Sequence, residues 1–126
     1  MALRAVHHVA ILVRDYPASR HFYVDLLGFT VLRENFRPEK NDWKLDLILD
    51  GVELEIFSAP DAPPRPDRPE ALGLRHLAFR VEDVEREAAA LNAKGIATEP
   101  VRLDPYSQKR FTFFRDPDGL PLELHE

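Results

Sequence analysis

The chain has 126 residues, of which 44% are hydrophobic and 31% charged, with a formal net charge of −5. That length suits one core-bearing domain, and the composition excludes a disordered, collagenous or membrane-spanning chain. The acidic balance, without a basic run, argues against nucleic acid or an anionic membrane as partner. The absence of cysteine excludes disulfides, thiolate metal ligands and thiol nucleophiles. Met1-Ala2-Leu3-Arg4 leads straight into patterned sequence with no signal-peptide pattern, so a cytoplasmic location is expected.

Residues 5–13 alternate as a strand does, with Val9, Ile11 and Val13 on one face and His8, Ala10 and Leu12 on the other. Asp15 then stands where a helix N-cap belongs and Pro17 suits a first turn; Gly28 stops a helix expected over 16–27. Strands follow near 29–36, 42–50 and 52–58, the last two joined by the tight-turn dipeptide Asp50-Gly51. Residues 59–73 hold five prolines and read as a stiff connector, with a role in covering a pocket as the alternative. Beyond it, His76, Ala78 and Arg80 alternate with Leu77, Phe79 and Val81. Asp83 caps a helix over 84–94 that ends at Gly95. Strands follow near 97–103, 109–115 and 120–125, with Asp118-Gly119 between the last two.

The two halves are one unit written twice. His8-Val-Ala-Ile-Leu-Val-Arg-Asp15 overlies His76-Leu-Ala-Phe-Arg-Val-Glu-Asp83, an offset of 68 residues. The same offset, without a gap, lays Asp50-Gly51-Val-Glu-Leu54-Glu55 on Asp118-Gly119-Leu-Pro-Leu122-Glu123. The expected class is α+β: two tandem βαβββ modules, residues 5–58 and 74–126, forming a curled mixed sheet in a single domain with a metal site.

The site follows from face accounting. The helices need the apolar face that carries Val9, Ile11, Leu54, Ile56, Leu77, Leu122 and Leu124, so His8, Glu55, His76 and Glu123 share the opposite face. A lone strand His is usually a packing residue and a lone strand Glu a solvated one. Packing does not demand both twice at one spacing. Two imidazoles and two carboxylates suit one divalent ion such as Zn²⁺, Ni²⁺, Co²⁺, Mn²⁺ or Fe²⁺, with nickel or zinc foremost. His7 is expected on the helix side, and His21 and His125 at the surface.

These residues resemble the vicinal-oxygen-chelate (glyoxalase/bleomycin resistance/dioxygenase) superfamily over essentially the whole chain. The ligand order His, Glu, His, Glu is similar to that of bacterial glyoxalase I, lactoylglutathione lyase. Asp116-Pro117-Asp118-Gly119 matches a frequent superfamily signature, and residues 104–114 resemble the YaeR-like subgroup. Glyoxalase I carries an Arg four residues after its first ligand and an Asn four after its second, both contacts to glutathione. Here those positions are Leu12 and Ala59, so the glutathione contacts are missing while the metal set is intact. The resemblance implies a homodimer and a metal-dependent lyase or isomerase of a small 2-oxoaldehyde-derived hemithioacetal or similar vicinal-oxygen substrate. It also implies that an enediolate would form when a carboxylate, Glu123 or Glu55, removes a proton. The alternatives are another metal enzyme on the same scaffold (an epimerase, dioxygenase or thiol transferase) and a non-catalytic binding or resistance protein. Lys109 and Arg110, with Tyr106, are candidates to clamp an anionic substrate group. Trp43, paired with Phe111 by the 68-residue offset, is a candidate pocket wall or core residue.

Overall fold

A computed structural model describes all 126 residues, which form two compact units, Met1–Pro63 and Pro64–Glu126. The first unit runs β1 (His8–Val13), helix α1 (Tyr16–Arg20, continued by a π-helical turn over His21–Leu26), β2 (Thr30–Arg37), β3 (Asp42–Leu49) and β4 (Val52–Ser58). The second runs β5 (Leu77–Arg80), α2 (Val84–Ala93), β6 (Arg102–Leu103), β7 (Arg110–Arg115) and β8 (Pro121–His125). Each is a βαβββ module with an open four-stranded sheet, in the orders β1-β4-β3-β2 and β5-β8-β7-β6. In both, the first and last strands of the module pair in parallel and the other pairs are antiparallel. The fold is α+β, as expected.

Local chemistry explains the elements. The Asp15 carboxylate accepts from the Ala18 amide at 3.1 Å and the Asp83 carboxylate from the Arg86 amide at 3.0 Å, so both expected N-caps form. The π turn after Arg20 lets the consecutive rings of Phe22 and Tyr23 both enter the core, where each meets the other edge-on and Tyr23 meets Phe29. Each unit has its own apolar layer between helix and sheet: Val13, Tyr23, Leu45, Leu47 and Ile56 in the first; Val84, Leu91, Phe114, Leu122 and Leu124 in the second. Only residues 102 and 103 of the strand expected over 97–103 join the ladder. Pro100 supplies no amide donor, and the neighbouring Glu99 makes an isolated bond to the Phe113 carbonyl instead. No helix is long and apolar enough to cross a membrane.

The duplication holds in the parallel ladders. Ala10 faces Glu55 and Ala78 faces Glu123, so the 68-residue offset is kept. It fails by one residue in the hairpins. Asp50-Gly51 is a two-residue turn, both residues at positive φ, whereas Asp118-Gly119 belongs to the five-residue loop Asp116–Leu120. In that loop the Asp116 carboxylate accepts from the amides of Asp118 and Leu120. As a result Lys44 faces Phe57 while Phe111 faces His125, and Phe111 corresponds to Lys44 rather than to Trp43. The expected pairing of Trp43 with Phe111 is corrected accordingly.

Candidate metal centre

In the first unit, strand alternation turns His8 of β1 and Glu55 of β4 to the face away from the helix, with His8 Nε2 3.4 Å from a Glu55 carboxylate oxygen. In the second unit His76, just before β5, lies with Nε2 2.9 Å from a Glu123 oxygen. Two ligands about 2.0–2.1 Å from a shared ion, in adjacent octahedral or tetrahedral positions, stand roughly 2.8–3.4 Å apart. Both pairs therefore have the spacing and the donor chemistry of half a divalent site. Within a unit each pair stays a pair, with no third His, Asp or Glu joining it in a metal-sized group.

The surroundings of the two pairs differ. Around Glu55 the face is charged: Lys44 Nζ lies 3.6 Å from Glu55 and 3.0 Å from Asp46, and Arg33 Nε lies 2.7 Å from Asp46. Asp46 is 1% exposed and sits directly opposite Glu55 in the ladder. Around Glu123 the face is aromatic: Phe113 sits directly opposite it and meets His76 edge-on at 5.1 Å between ring centroids. Arg102 lies over the rings of Phe111 and Phe113.

Other expected participants fall elsewhere. Trp43 is on the helix face of β3, stacked on Tyr16 at 5.4 Å and edge-on to Phe36, so it packs against α1 and does not wall the ligand face. Arg110 also faces the helix side, bonded to Glu126 at 2.7 Å and 3.9 Å from the cap residue Asp83; this pairing holds the Glu126 carboxyl below its ordinary range. It is not placed to clamp a substrate beside His76. Tyr106 is fully exposed and Lys109 exposed, in the turn braced by Asp104, whose side chain accepts from the Tyr106 amide and is thereby held low. His7 is not on the helix side: its Nδ1 meets His8 Nδ1 at 2.9 Å and its Nε2 lies 3.4 Å from Glu53, on the Glu55 face. That contact leaves His8 Nε2 as the nitrogen presented to Glu55. His125, expected at the surface, stacks on Phe111 on the Glu123 face, and His21 pairs with Asp25. The sequence reading missed Lys44, Asp46, Phe113 and Arg102. A charge at Asp46, within the apolar run Leu45–Leu49, was the one available signal.

Comparison with known proteins shows the family. The family model described as the Glyoxalase/Bleomycin resistance protein/Dioxygenase superfamily matches residues 5–124. The uncharacterized proteins YaeR of Escherichia coli and YwkD of Bacillus subtilis are each 54% identical over 127 residues, covering 100% of this chain and 98% and 99% of theirs. The crystal structure of a glyoxalase family protein from Enterococcus faecalis is 61% identical, covers 100% of both chains and has a TM-score of 0.94. More distant relatives, 28–30% identical, include a 2-epi-5-epi-valiolone epimerase, the metallothiol transferase FosB and a glyoxylase I of Arabidopsis thaliana.

Proposed function

Because the chain belongs to the Glyoxalase/Bleomycin resistance protein/Dioxygenase superfamily, we propose that it is a divalent-metal-dependent lyase or isomerase of glyoxalase I type. Its substrate is a small molecule with two neighbouring oxygens, of which a 2-oxoaldehyde hemithioacetal is the type, and it works as a cytoplasmic homodimer. The observation that carries this reading is the repetition of one His–Glu pair in both units, at ligand spacing and with both glutamates at the same place in the parallel ladder. His8, Glu55, His76 and Glu123 are the residues assigned to the ion, nickel or zinc foremost. Such an ion, when bound, would supply Lewis acidity toward the two substrate oxygens and acidify the C–H on the hydroxyl-bearing carbon next to the carbonyl.

The chain's own groups then do the rest. Glu123 takes the substrate proton and returns it to the neighbouring carbon, which isomerises the hemithioacetal to a hydroxyacyl thioester without an organic cofactor. Its setting beside Phe113 excludes water from one side of the carboxylate, while Glu55 is held in place by Lys44. His8 and His76 present Nε2 to their carboxylates and fix their orientation. The homodimer reading rests on β1 and β5, each an edge strand with one side unpaired in its sheet.

Elemental analysis of the purified protein, followed by restoring the stripped protein with each candidate metal and assaying a hemithioacetal panel, tests the proposal. One equivalent of a transition metal per pair of His–Glu sets, with metal-dependent isomerase turnover, is expected. Metal-free protein that gains neither metal nor turnover would end it, and a stable monomer by mass in solution would end the dimer reading.

A further inference from the structure

The second unit contains a pocket of about 330 Å³ on the ligand face of its sheet, bordered by His76 and Phe113. Its opposite wall is the proline-rich segment that opens this unit, through Arg65, Asp67, Glu70 and Arg75. Arg65, Pro66, Asp67, Glu70 and Ala71 of the connector thus line a pocket, the reading that the proline content alone left second.

The lining is rich in guanidinium groups. Arg65, Arg75, Arg102 and Arg115 all border the pocket, against the carboxylates of Asp67, Glu70 and Glu99. Glu70 is taken by Arg75 in a two-bond contact at 2.8 and 2.9 Å, which ties the wall to itself. The other two acids are held less firmly, Glu99 by Arg102 at 3.3 Å and Asp67 by Arg115 at 3.5 Å, and all four of those side chains are about half exposed. Arg65 donates to the carbonyls of Leu74 and Arg75 and is the cation in excess over the acids. Arg102 is held over the Phe111 and Phe113 rings at 5.0 and 5.8 Å, and Phe113 in turn touches His76. A rigid guanidinium on an aromatic floor is suited to two-pronged recognition of an oxyanion.

We propose that this pocket binds the acidic group, carboxylate or phosphate, of a small anionic molecule, with Arg102 and Arg65 as its principal contacts. The inference rests on the proposed metal reading for the reaction but not for the binding: an anion anchored here extends toward His76 and Glu123, so the substrate class is narrowed to small organic acids or phosphates. The weak Arg102–Glu99 and Arg115–Asp67 contacts exchange for the ligand, since an exposed ion pair is worth little against a bound dianion.

The test is calorimetric titration of the full chain, in buffer containing a chelator, with inorganic phosphate in one arm and succinate in the other. Saturable binding in at least one arm is expected, and the arm that saturates identifies the acid. Arg102→Met and Arg65→Met should each weaken it about tenfold, Arg102→Lys less, and Arg86→Met on the surface of α2 not at all. Failure of both probes to saturate in the millimolar range would overturn the proposal, as would equal binding by wild type and the Arg102 and Arg65 variants. Because the titration is run without metal, a protein that binds no metal can still pass it. Conversely, a protein that fails it can still carry its metal.

Discussion

Asp46 lies directly across the β3–β4 ladder from Glu55, 1% exposed and bonded to both Lys44 and Arg33. The place across from Glu123 is taken by Phe113. Two carboxylates that the duplicated sequence makes equivalent therefore stand in unlike settings, one within a charge network and one against a ring.

Asp46→Asn should lower stability by about 2 kcal/mol, because two charge-assisted contacts to a buried oxygen pair are weakened at once while the partly exposed cations recover some hydration. Urea unfolding should show a lower midpoint at unchanged slope. No shift of the midpoint would mean that the network is held together without Asp46.

Glu123→Gln should retain part of its metal and lose most turnover, since an amide oxygen still ligates but takes no proton. Glu55→Gln should weaken metal binding similarly and leave more activity. Kinetics at matched metal occupancy separate the two, and full activity in both variants would rule out either carboxylate as the base.

Tyr16, Glu34 and Arg20 give the first unit a pH dependence. Arg20 bonds both oxygens of Glu34 at 2.9 and 3.1 Å, and the Tyr16 hydroxyl donates to the same carboxylate. Arg20 first and Tyr16 second hold the Glu34 carboxyl below its ordinary 4.5, whereas burial first, then Glu34, pushes the Tyr16 hydroxyl above its ordinary 10.0. The Glu34 contribution is complete above about pH 4.5 and is lost as pH falls through its lower folded value. The Tyr16 contribution is complete below about pH 10 and is lost as pH rises beyond it. Melting temperature against pH should therefore fall at both ends. Glu34→Gln should flatten the acid limb, and Tyr16→Phe, which keeps the stack on Trp43, should flatten the alkaline one.

Gly51→Ala should cost about 1 kcal/mol. Gly51 sits at φ +83° with no atom within 4 Å of the place a Cβ would take, so the penalty is backbone strain and not collision. Asp50→Asn, at φ +46°, should be neutral or slightly stabilising because Asn tolerates that region. Thermal melts of the two variants check both expectations.

Strand alternation and the caps at Asp15 and Asp83 made the βαβββ order readable from sequence, and so were the two His–Glu pairs, because local patterning and a short parallel register decide them. The partners of those pairs were not. A two-residue turn after Leu49 and a five-residue loop after Arg115 shift the second hairpin by one residue, and in a ladder a shift of one exchanges the faces. That is why Trp43 meets α1 while Phe111 lies on the ligand face. Arg110 was misjudged for a related reason: its pull toward Glu126 and Asp83 depends on a chain end brought back beside β7.

The 68-residue offset lays Glu70 and Arg75 of the arginine-bearing wall on Ala2 and His7, so the Arg75–Glu70 contact is not repeated in the first unit. In the proposed anion pocket Arg65 comes from this wall, outside both ladders, while Arg102 comes from β6. Substitutions confined to this dozen residues can retune what is held beside His76 without disturbing either ladder or either His–Glu pair. Under the proposed anion binding, this short, exposed tract is therefore where ligand preference can change while both sheets stay as they are.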